Sequence, residues 1–320
     1  MIKKVRNILD SRKEMNELGF GSNLTDVSQG IINKDGTFNV MRTGIPFSES
    51  FGFFHFFITM SWLKFCGWIL ILYIAINIIF TFLYLIAGVE GISGVPDKSF
   101  FDKFLFTFFF STQTFTTVGY GAITPTGIIQ NIIASLESLS GLLSLAFATG
   151  LLYGRFSRPV AKIIYSEKAL IAPFKDSNAF QFRTANQRMK HEMIDVEVTL
   201  ILTVIENFDG VPKRQFFNLE LEYSKISFFA STWTVNHIIN ENSPLHELTK
   251  DDMDEIDAEF LILLRGFDTA YSQKVQSLYS YKSNDIVWGA KFAKVYGKTR
   301  SGRMKVELDK INEYIPANLN

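Results

Sequence analysis

Two long apolar stretches constrain what this chain of 320 residues can fold into. Trp62 to Ala87 contains no charged residue after Lys64, and Ile128 to Phe156 carries Glu137 as the one charged residue in its interior. Each stretch exceeds the roughly 20 residues that a helix needs to cross the hydrocarbon core of a bilayer. The sequence therefore predicts two transmembrane helices.

Positively charged residues are distributed unevenly around these two stretches. The segment between them carries Lys98 and Lys103, whereas such residues are frequent before residue 45 and directly after the second stretch. By the positive-inside rule, both termini are cytoplasmic and the chain is a multi-pass protein of the cell membrane. Residues 1–46 form a cytoplasmic N-terminal segment, in which 34–40 is either a turn and short strand that pairs with a sheet edge or part of a loose tail.

Residues 47–61 precede the first stretch and predict an amphipathic helix. Phe47, Phe51, Phe54 and Ile58 recur every three or four positions, with polar residues between them. Beside a transmembrane helix, such a segment is expected to lie in the membrane interface as a slide helix. A buried helix of a globular core is the alternative.

The segment between the two stretches has the composition of a pore lining. Residues 100–114 are apolar but too few to cross the bilayer, which favours a re-entrant helix whose C-terminal carbonyl end attracts a cation. Thr116 to Gly121 then supplies two glycines, which tolerate the backbone angles that turn carbonyls toward an ion. Alone this run is more often a plain turn. Its place between two membrane helices favours a pore domain over residues 62–158.

Residues 159–320 have the period-two alternation and turn signals of β-strands. Because no long helix separates the strands, the pattern predicts an antiparallel β-sandwich. The acidic stretch 248–259 is a short helical turn or a solvated loop, since it lacks the glycine and spacing of a calcium loop. The predicted strands are 179–184, 194–206, 216–223, 226–234, 259–265, 273–281, 286–296 and 304–309.

Several functional classes are disfavoured by composition. A net charge of zero gives no indication of nucleic-acid binding, and the single cysteine, Cys66, excludes an intrachain disulfide. The four histidines lack metal-ligand spacing, and no nucleophile, base and orienting residue form a catalytic set. We therefore expect neither an enzyme nor a bound cofactor.

Several motifs together resemble the inward-rectifier potassium channels, most closely their prokaryotic branch. Thr117-Val118-Gly119-Tyr120-Gly121 between two membrane helices is similar to the potassium-channel filter. Gly154 to Pro159 ends the second stretch as in this family, and Lys34-Asp35-Gly36 and Asp285 to Gly289 also match. The resemblance covers residues 34–300.

The resemblance implies a potassium-selective channel that is gated through its cytoplasmic domain. The five residues Thr117, Val118, Gly119, Tyr120 and Gly121 would bind K⁺ as the permeant ion, with no other metal. A homotetramer is implied, because one filter strand cannot surround an ion. The family also implies an immunoglobulin-like sandwich, with residues 266–273 as a loop that narrows the cytoplasmic pore.

Leu145, Thr149 and Tyr153 are spaced by four and share one helix face. Aligned on the family pattern, this face lines the pore. Leu145 lies where strongly rectifying relatives carry an acidic residue, so weak intrinsic rectification is expected. Leu145 and Tyr153 form hydrophobic rings that gate by dewetting, or they face lipid and neighbouring helices.

The support behind the filter departs from the family pattern. Gln113 replaces a glutamate found in many members, and Ala122 and Ile123 provide no basic partner. Glu137 is the candidate replacement, because an ionisable residue inside a membrane helix is usually functional. We expect it to bond Gln113, another subunit or the filter backbone. Small residues such as Gly141 and Gly150 permit either bending or close packing.

Arg155, Arg158 and Lys162 form a basic cluster after the second stretch. Such a position suits anionic or phosphoinositide headgroups, although the cluster also serves topology alone. Residues 160 and 161 are basic in phosphoinositide-activated relatives but are Val and Ala here. Two other functions stay open: a two-span cation channel that is less selective or is gated by a nucleotide or calcium, and a non-conducting, membrane-anchored binding module.

Overall fold

The computed structural model describes residues 30–320, except 42, 45, 47–51, 98, 160, 189–191, 209–210, 300 and 303 and the side chains of 206–208 and 211. Most of the predicted N-terminal segment and the first residues of the predicted slide helix, including Phe47 and Phe51, lie outside the described residues. By its internal contacts the chain divides into two units. Residues 43–158 form the helical unit, and residues up to 42 together with 159–320 form the β unit.

The described residues of the helical unit form four α-helices and one short strand pair. Helices α2 and α4 have the length and hydropathy of membrane spans, which confirms the two predicted transmembrane helices. Helix α3 begins after Ser99, whose hydroxyl oxygen accepts from the Asp102 amide. The elements are α1 (Phe53–Thr59), α2 (Trp62–Ala87), a 3₁₀ turn (Val89–Gly91), β1 (Ile92–Ser93), α3 (Phe100–Phe115), β2 (Thr124–Pro125) and α4 (Ile128–Phe156).

The C-terminal end of α2 and the N-terminal end of α4 are held together by a buried glutamine. Gln130, in the first turn of α4, donates from Nε2 to the main-chain oxygens of Ala87 at 2.9 Å and Gly88 at 2.7 Å. Carbonyls at a helix C-terminus lack partners within the helix, so these bonds satisfy groups that a membrane helix would otherwise expose. Strands β1 and β2 pair beside this junction.

The β unit is a sandwich of two five-stranded sheets. One has the order β11-β10-β6-β7 with β8 also on β6, and the other has the order β12-β4-β5-β3 with β9 also on β5. Its strands are β3 (Ile163–Tyr165), β4 (Ala169–Phe174), β5 (Ser177–Asn186), β6 (Met193–Phe208), β7 (Val211–Leu219), β8 (Lys225–Phe229), β9 (Thr232–Ile239), β10 (Glu259–Asp268), β11 (Gln273–Lys282), β12 (Ile286–Trp288), β13 (Ala290–Phe292), β14 (Tyr296–Lys298), β15 (Met304–Val306) and β16 (Tyr314–Pro316).

The core of the sandwich lies between the two sheets. Phe180 of β5 stacks on Phe260 of β10 with ring centroids 4.2 Å apart, and Phe182 packs against Tyr281 of β11. These side chains are fully buried, as is Leu200 of β6. Alternate residues of each strand point to one face, so the inward aromatic and aliphatic residues of both sheets form one core. The sandwich confirms the predicted fold class.

Several strand predictions are wrong in their bounds. Residues 286–296 are not one strand, because Gly289 has a φ of +67° and separates β12 from β13. Residues 226–234 divide between β8 and β9. The predicted loop 266–273 is half strand: β10 continues to Asp268 and pairs with β11, which begins at Gln273, so residues 269–272 form the hairpin turn.

The N-terminal segment attaches to the β unit through buried side chains. Residues 30–41 of this segment form a small turn, in which Ile32 and Phe38 make an antiparallel bridge. Ile31 and Ile32 pack with residues of β6, β7 and β10, and the Ile31 amide donates to the Glu259 carboxylate. Lys34 Nζ pairs with Asp285 at 2.6 Å. The described part of the predicted strand therefore docks by side chains rather than by a ladder along a sheet edge.

The acidic stretch 248–259 contains a short helix and no metal-binding cluster among the described residues. Helix α5 (Lys250–Glu255) begins with a capping box, in which Thr249 and Asp252 bond each other's main-chain amides. Among the residues that the structure describes, no cluster of three or more His, Cys, Asp or Glu side chains could hold a metal ion.

His237 makes the stability of the β unit dependent on pH. Its Nδ1 lies 2.6 Å from the Glu220 main-chain oxygen, which only accepts, so Nδ1 carries the proton and Nε2 accepts from the Ser243 hydroxyl at 2.7 Å. Burial lowers the pKa of His237 below its usual range, although the Glu220 carbonyl opposes the shift.

A folded state that disfavours the imidazolium loses stability as pH falls below about 6.5, where the unfolded chain takes up the proton. We expect the thermal midpoint of the purified protein to fall between pH 7 and pH 5, and His237→Gln to reduce the steepness of that fall. The difference between the two pH profiles is the measurement, since other titrating groups contribute equally to both. Parallel profiles would contradict the assignment.

Candidate ion-conduction site

The run Thr117–Gly121 begins directly after Thr116, the C-cap of α3, and its backbone alternates in hand. Thr117, Gly119 and Gly121 have φ values of +59°, +54° and +80°, whereas Val118 and Tyr120 are not in this left-handed region. Alternation of backbone hand turns successive peptide groups to one side, where they converge on an ion. Glycine takes positive φ without steric cost, whereas Thr117 is held there at a cost on the order of 1–3 kcal/mol.

Main-chain hydrogen bonds tie this run to the end of α3. The Gln113 carbonyl accepts from the amides of Val118 at 2.9 Å and Gly119 at 3.4 Å, and the Thr114 carbonyl accepts from the Thr117 amide at 3.0 Å. These bonds reverse the chain immediately after the helix. The orientation of α3 therefore fixes where the run begins.

Glu137 lies in the middle of α4 and is fully buried. Its Oε2 accepts from the Tyr84 hydroxyl of α2 at 2.7 Å, and its Oε1 accepts from the Ser111 hydroxyl of α3 at 2.5 Å. The expected bond to Gln113 is not formed. Within the described part of the chain the half-buried Gln113 side chain makes no hydrogen bond, and Gln113 contacts the filter run through its main chain.

Asn77 completes the polar cluster around Glu137. Ser111 Oγ lies 3.1 Å from Asn77 Oδ1 and 3.2 Å from the Asn77 main-chain oxygen, while Asn77 Nδ2 donates to the Tyr73 carbonyl at 2.7 Å. Asn77, Tyr84, Ser111 and Glu137 are all 0% exposed. Of these four residues, only Glu137 was predicted from the sequence. A signal was present, because Asn77 and Tyr84 are polar and two helical turns apart on one face of an apolar span.

Gly141 allows α4 to approach the end of α3. A Cβ atom built on Gly141 would lie 1.8 Å from the Phe115 main-chain oxygen. Gly150 has no atom of this chain within 4 Å of the same position. Of the two roles considered for these glycines, Gly141 serves close packing against the helix that precedes the filter run.

Leu145, Thr149 and Tyr153 lie exposed along one face of α4. Leu145 is 66% and Tyr153 is 74% exposed in the single chain, and the Thr149 hydroxyl donates to the Leu145 carbonyl at 2.8 Å. Leu145 also borders a largely apolar cavity of about 540 Å³, which Tyr73, Phe115 and Thr117 line as well. The three residues are thus available to a pore or to a partner chain.

Arg155 is engaged by the protein itself. Its Nη1 donates to the Phe57 carbonyl at 2.6 Å and its Nη2 to the Met60 carbonyl at 2.8 Å, at the end of α1. The guanidinium lies 4.6 Å from the ring centroids of both Trp62 and Phe65. Both terminal nitrogens bond carbonyls, which ties Arg155 to α1, and its role as a headgroup ligand stays a prediction.

The other members of the expected basic cluster differ from Arg155. Arg158 ends the helical unit with an exposed side chain, and Lys162, also exposed, belongs to the β unit. Neither side chain has a hydrogen bond or ion pair with any residue that the structure describes. These two positions retain the properties of headgroup ligands.

Comparison with known proteins covers both units. A family model described as "Inward rectifier potassium channel C-terminal domain" matches residues 163–319, and one described as "Ion channel" matches residues 68–158. "Inward rectifier potassium channel Kirbac3.1" of Paramagnetospirillum magnetotacticum is 35% identical over 288 residues, which are 88% of this chain and 95% of the relative. The chain belongs to the inward-rectifier potassium channel family. It is a membrane-spanning channel and not an enzyme, as the sequence predicted.

Animal members of the family are also similar to this inward-rectifier-type chain. "Inward rectifier potassium channel irk-1" of Caenorhabditis elegans is 26% identical over 310 residues, 89% of this chain and 57% of the relative. The human "Inward rectifier potassium channel 18" is 27% identical over 217 residues, 64% of this chain and 50% of the relative. The chain matches only about half the length of these two proteins, but nearly the whole bacterial relative.

Proposed function

We propose that this channel conducts potassium passively and selectively through main-chain oxygens of Thr117, Val118, Gly119, Tyr120 and Gly121. The observation that carries the proposal is the alternating backbone hand of this run, which turns peptide groups to a common side. Carbonyl oxygens then replace the hydration shell of K⁺, and the Thr117 hydroxyl adds a further ligand. K⁺ is the permeant ion and no resident cofactor is required.

The conducting form is a homotetramer. One run of five residues presents oxygens from one direction only, whereas a dehydrated ion needs them on all sides. Fourfold repetition about the pore axis provides this shell. The charge distribution around the spans supports a topology with both termini in the cytoplasm.

Each segment of the chain has its own role in the proposed channel. We assign residues 62–158 to the pore and 159–320 to a cytoplasmic gating domain, with 1–46 as a cytoplasmic segment and 47–61 as a slide helix in the membrane interface. The apolar exposed side chains of α1, including Phe53 and Phe54, support the interfacial position. Arg158 and Lys162 are the proposed ligands of anionic or phosphoinositide headgroups.

The pore below the filter is lined by Leu145, Thr149 and Tyr153. Rings of Leu145 and Tyr153 from four subunits form an apolar constriction that closes by dewetting. With leucine at position 145 the pore presents no ring of negative charge there. Intrinsic rectification by cytoplasmic cations is therefore weak.

Leu145→Asp is expected to strengthen voltage-dependent block by cytoplasmic magnesium or spermine by about tenfold or more. One attraction between unit charges near a protein surface contributes on the order of 1–4 kcal/mol, and each tenfold change requires about 1.4 kcal/mol. Leu145→Asn is the matched control, because it changes polarity without charge. Current–voltage curves measured in planar bilayers report the block. An Asp variant whose curve overlays that of the Asn variant would remove Leu145 from the pore lining.

Ion flux into proteoliposomes tests whether the purified protein conducts at all. Vesicles loaded with K⁺ should accumulate external rubidium, and barium should block the uptake. Efflux of K⁺ makes the vesicle interior negative and thereby drives the uptake of rubidium. In vesicles loaded with Na⁺ instead, this potential should be absent only if the channel excludes Na⁺. Equal uptake of Na⁺ and Rb⁺ would favour the less selective cation channel, and no uptake in any lipid mixture would favour a non-conducting binding module.

A further inference from the structure

We propose that Tyr84 and Ser111 are positioning residues for the selectivity filter, acting through Glu137 and the pore helix α3. The inference rests on the proposed potassium selectivity and extends it to residues outside the filter. Its basis is a buried polar cluster in which all three membrane-inserted helices of one subunit meet at a single carboxylate.

The cluster joins three helices at one point. Glu137 of α4 accepts one hydroxyl on each carboxylate oxygen, from Tyr84 of α2 at 2.7 Å and from Ser111 of α3 at 2.5 Å. A serine hydroxyl has a single hydrogen, and its nearest acceptor is Glu137, with two oxygens of Asn77 at 3.1 and 3.2 Å. The carboxylate therefore fixes α3 relative to both spans.

The link from the cluster to the filter runs through α3. Ser111 lies two residues before Gln113, in the last turns of the same helix. The Gln113 carbonyl accepts the amides of Val118 and Gly119, which are the second and third residues of the filter run. Because a helix turn is rigid, a rotation of α3 that follows loss of the Ser111 bond displaces the carbonyl to which these amides are bonded.

Because the polar cluster around Glu137 is buried, its members depend on one another for their hydrogen bonds. All four members are 0% exposed, so water cannot replace a lost partner without entering the helix bundle. A carboxylate oxygen without a donor in this setting is costly and drives rearrangement of its neighbours. Loss of either hydroxyl is therefore expected to move the helices rather than merely weaken a contact.

Gln130 provides an internal comparison for a purely structural role. Like Glu137 it lies on α4, is buried at 5% exposure and bonds α2, at the carbonyls of Ala87 and Gly88. It makes no hydrogen bond to α3 among the residues described. A variant at Gln130 weakens the contact between the spans and leaves the Ser111 link to α3 intact.

The test compares Ser111→Ala, Tyr84→Phe and Gln130→Met in the full-length channel. Tyr84→Phe keeps the ring that packs against Phe110 at 5.1 Å and removes only the hydroxyl. We expect Ser111→Ala and Tyr84→Phe each to raise the permeability of Na⁺ relative to K⁺ by about tenfold, if the free energy of one buried hydrogen bond is lost from the preference of the filter for K⁺. Gln130→Met should lower the thermal midpoint but leave the ratio unchanged. In the double variant Ser111→Ala/Tyr84→Phe, the increase in the Na⁺/K⁺ permeability ratio should be smaller than the product of the two single increases, because both hydroxyls bond one carboxylate.

A second measurement covers variants with currents too small to resolve. K⁺ bound in the filter raises the thermal midpoint of the purified protein relative to Na⁺. This difference should shrink for Ser111→Ala and Tyr84→Phe and persist for Gln130→Met. If the wild type is selective but Ser111→Ala and Tyr84→Phe leave both the Na⁺/K⁺ permeability ratio and the K⁺-dependent rise of the thermal midpoint unchanged, the inference is overturned and the proposed function is not. The inference is also overturned if Gln130→Met changes these two quantities as much as Ser111→Ala and Tyr84→Phe do. A wild type that passes Na⁺ as readily as K⁺ would overturn the proposed function as well.

Discussion

Replacement of Gly141 with alanine is expected to abolish potassium flux and to lower the thermal midpoint of the channel. The added Cβ would lie 1.8 Å from the Phe115 carbonyl oxygen, where real Cβ contacts essentially never fall below 3.0 Å. The opposing atom belongs to main chain, so α4 and the end of α3 must separate by about 1 Å. Such overpacking costs about 1–3 kcal/mol, and here it displaces the last residue of α3, two positions before the filter run.

Gly150→Ala is the matched control for this prediction. It lies on the same helix and has no atom of the chain within 4 Å of its added methyl group. Alanine favours a helix by about 0.8–1.0 kcal/mol over glycine, so Gly150→Ala should leave flux intact and the midpoint unchanged or raised. Rubidium flux and thermal unfolding of both variants provide the comparison. If Gly141→Ala conducts like the wild type with an equal midpoint, the close contact of α4 with α3 is not needed for conduction.

Arg155→Lys is expected to release α1 from the end of α4 despite conserving the charge. The planar guanidinium bonds the carbonyls of Phe57 and Met60 with separate nitrogens and lies against two aromatic rings, which a compact ammonium cannot reproduce. A hydrogen bond to a charged group contributes about 1.5–3 kcal/mol, so loss of one bond should cost about 2 kcal/mol. Loss of both in Arg155→Ala should cost about twice as much.

Amide hydrogen exchange of residues 53–60 measures this release directly. Exchange should accelerate in both Arg155 variants, because the main-chain bonds of α1 open more often once its anchor is lost. Arg158→Lys is the control, since that side chain is exposed and has no bonded partner among the described residues. Equal exchange in the wild type and Arg155→Lys would show that the paired carbonyl bonds do not hold α1.

The elements that the sequence predicted best are those determined by local properties. Hydropathy and length define α2 and α4, and both helices have the bounds expected from the sequence. The strands near the end of the chain depend on pairing over long distances: β12 joins β4, more than 100 positions earlier, and β13 joins β16. Neither pairing leaves a period-two signal long enough to set strand ends, which is why 286–296 was wrongly expected to be one strand.

The same distinction applies to the site. The filter run is recognisable from its own residues, since glycine and threonine at fixed spacing indicate a carbonyl-lined pore. The partners of Glu137 are not recognisable in this way, because Ser111 and Tyr84 lie 26 and 53 positions away in the chain and meet it only after the helices pack. The protein partners of Arg155 were missed for a related reason. Its charge was visible in the sequence, whereas the carbonyls that it bonds became available only where α1 ends.

The reversal potential of the purified channel under bi-ionic conditions tests potassium selectivity most directly. With K⁺ on one side of a planar bilayer and an equal concentration of Na⁺ on the other, each tenfold preference for K⁺ displaces the potential by about 59 mV. A filter built from the carbonyls of Thr117–Gly121 predicts a displacement of at least about 100 mV toward the K⁺ equilibrium potential. A reversal potential near zero would contradict a potassium-selective pore.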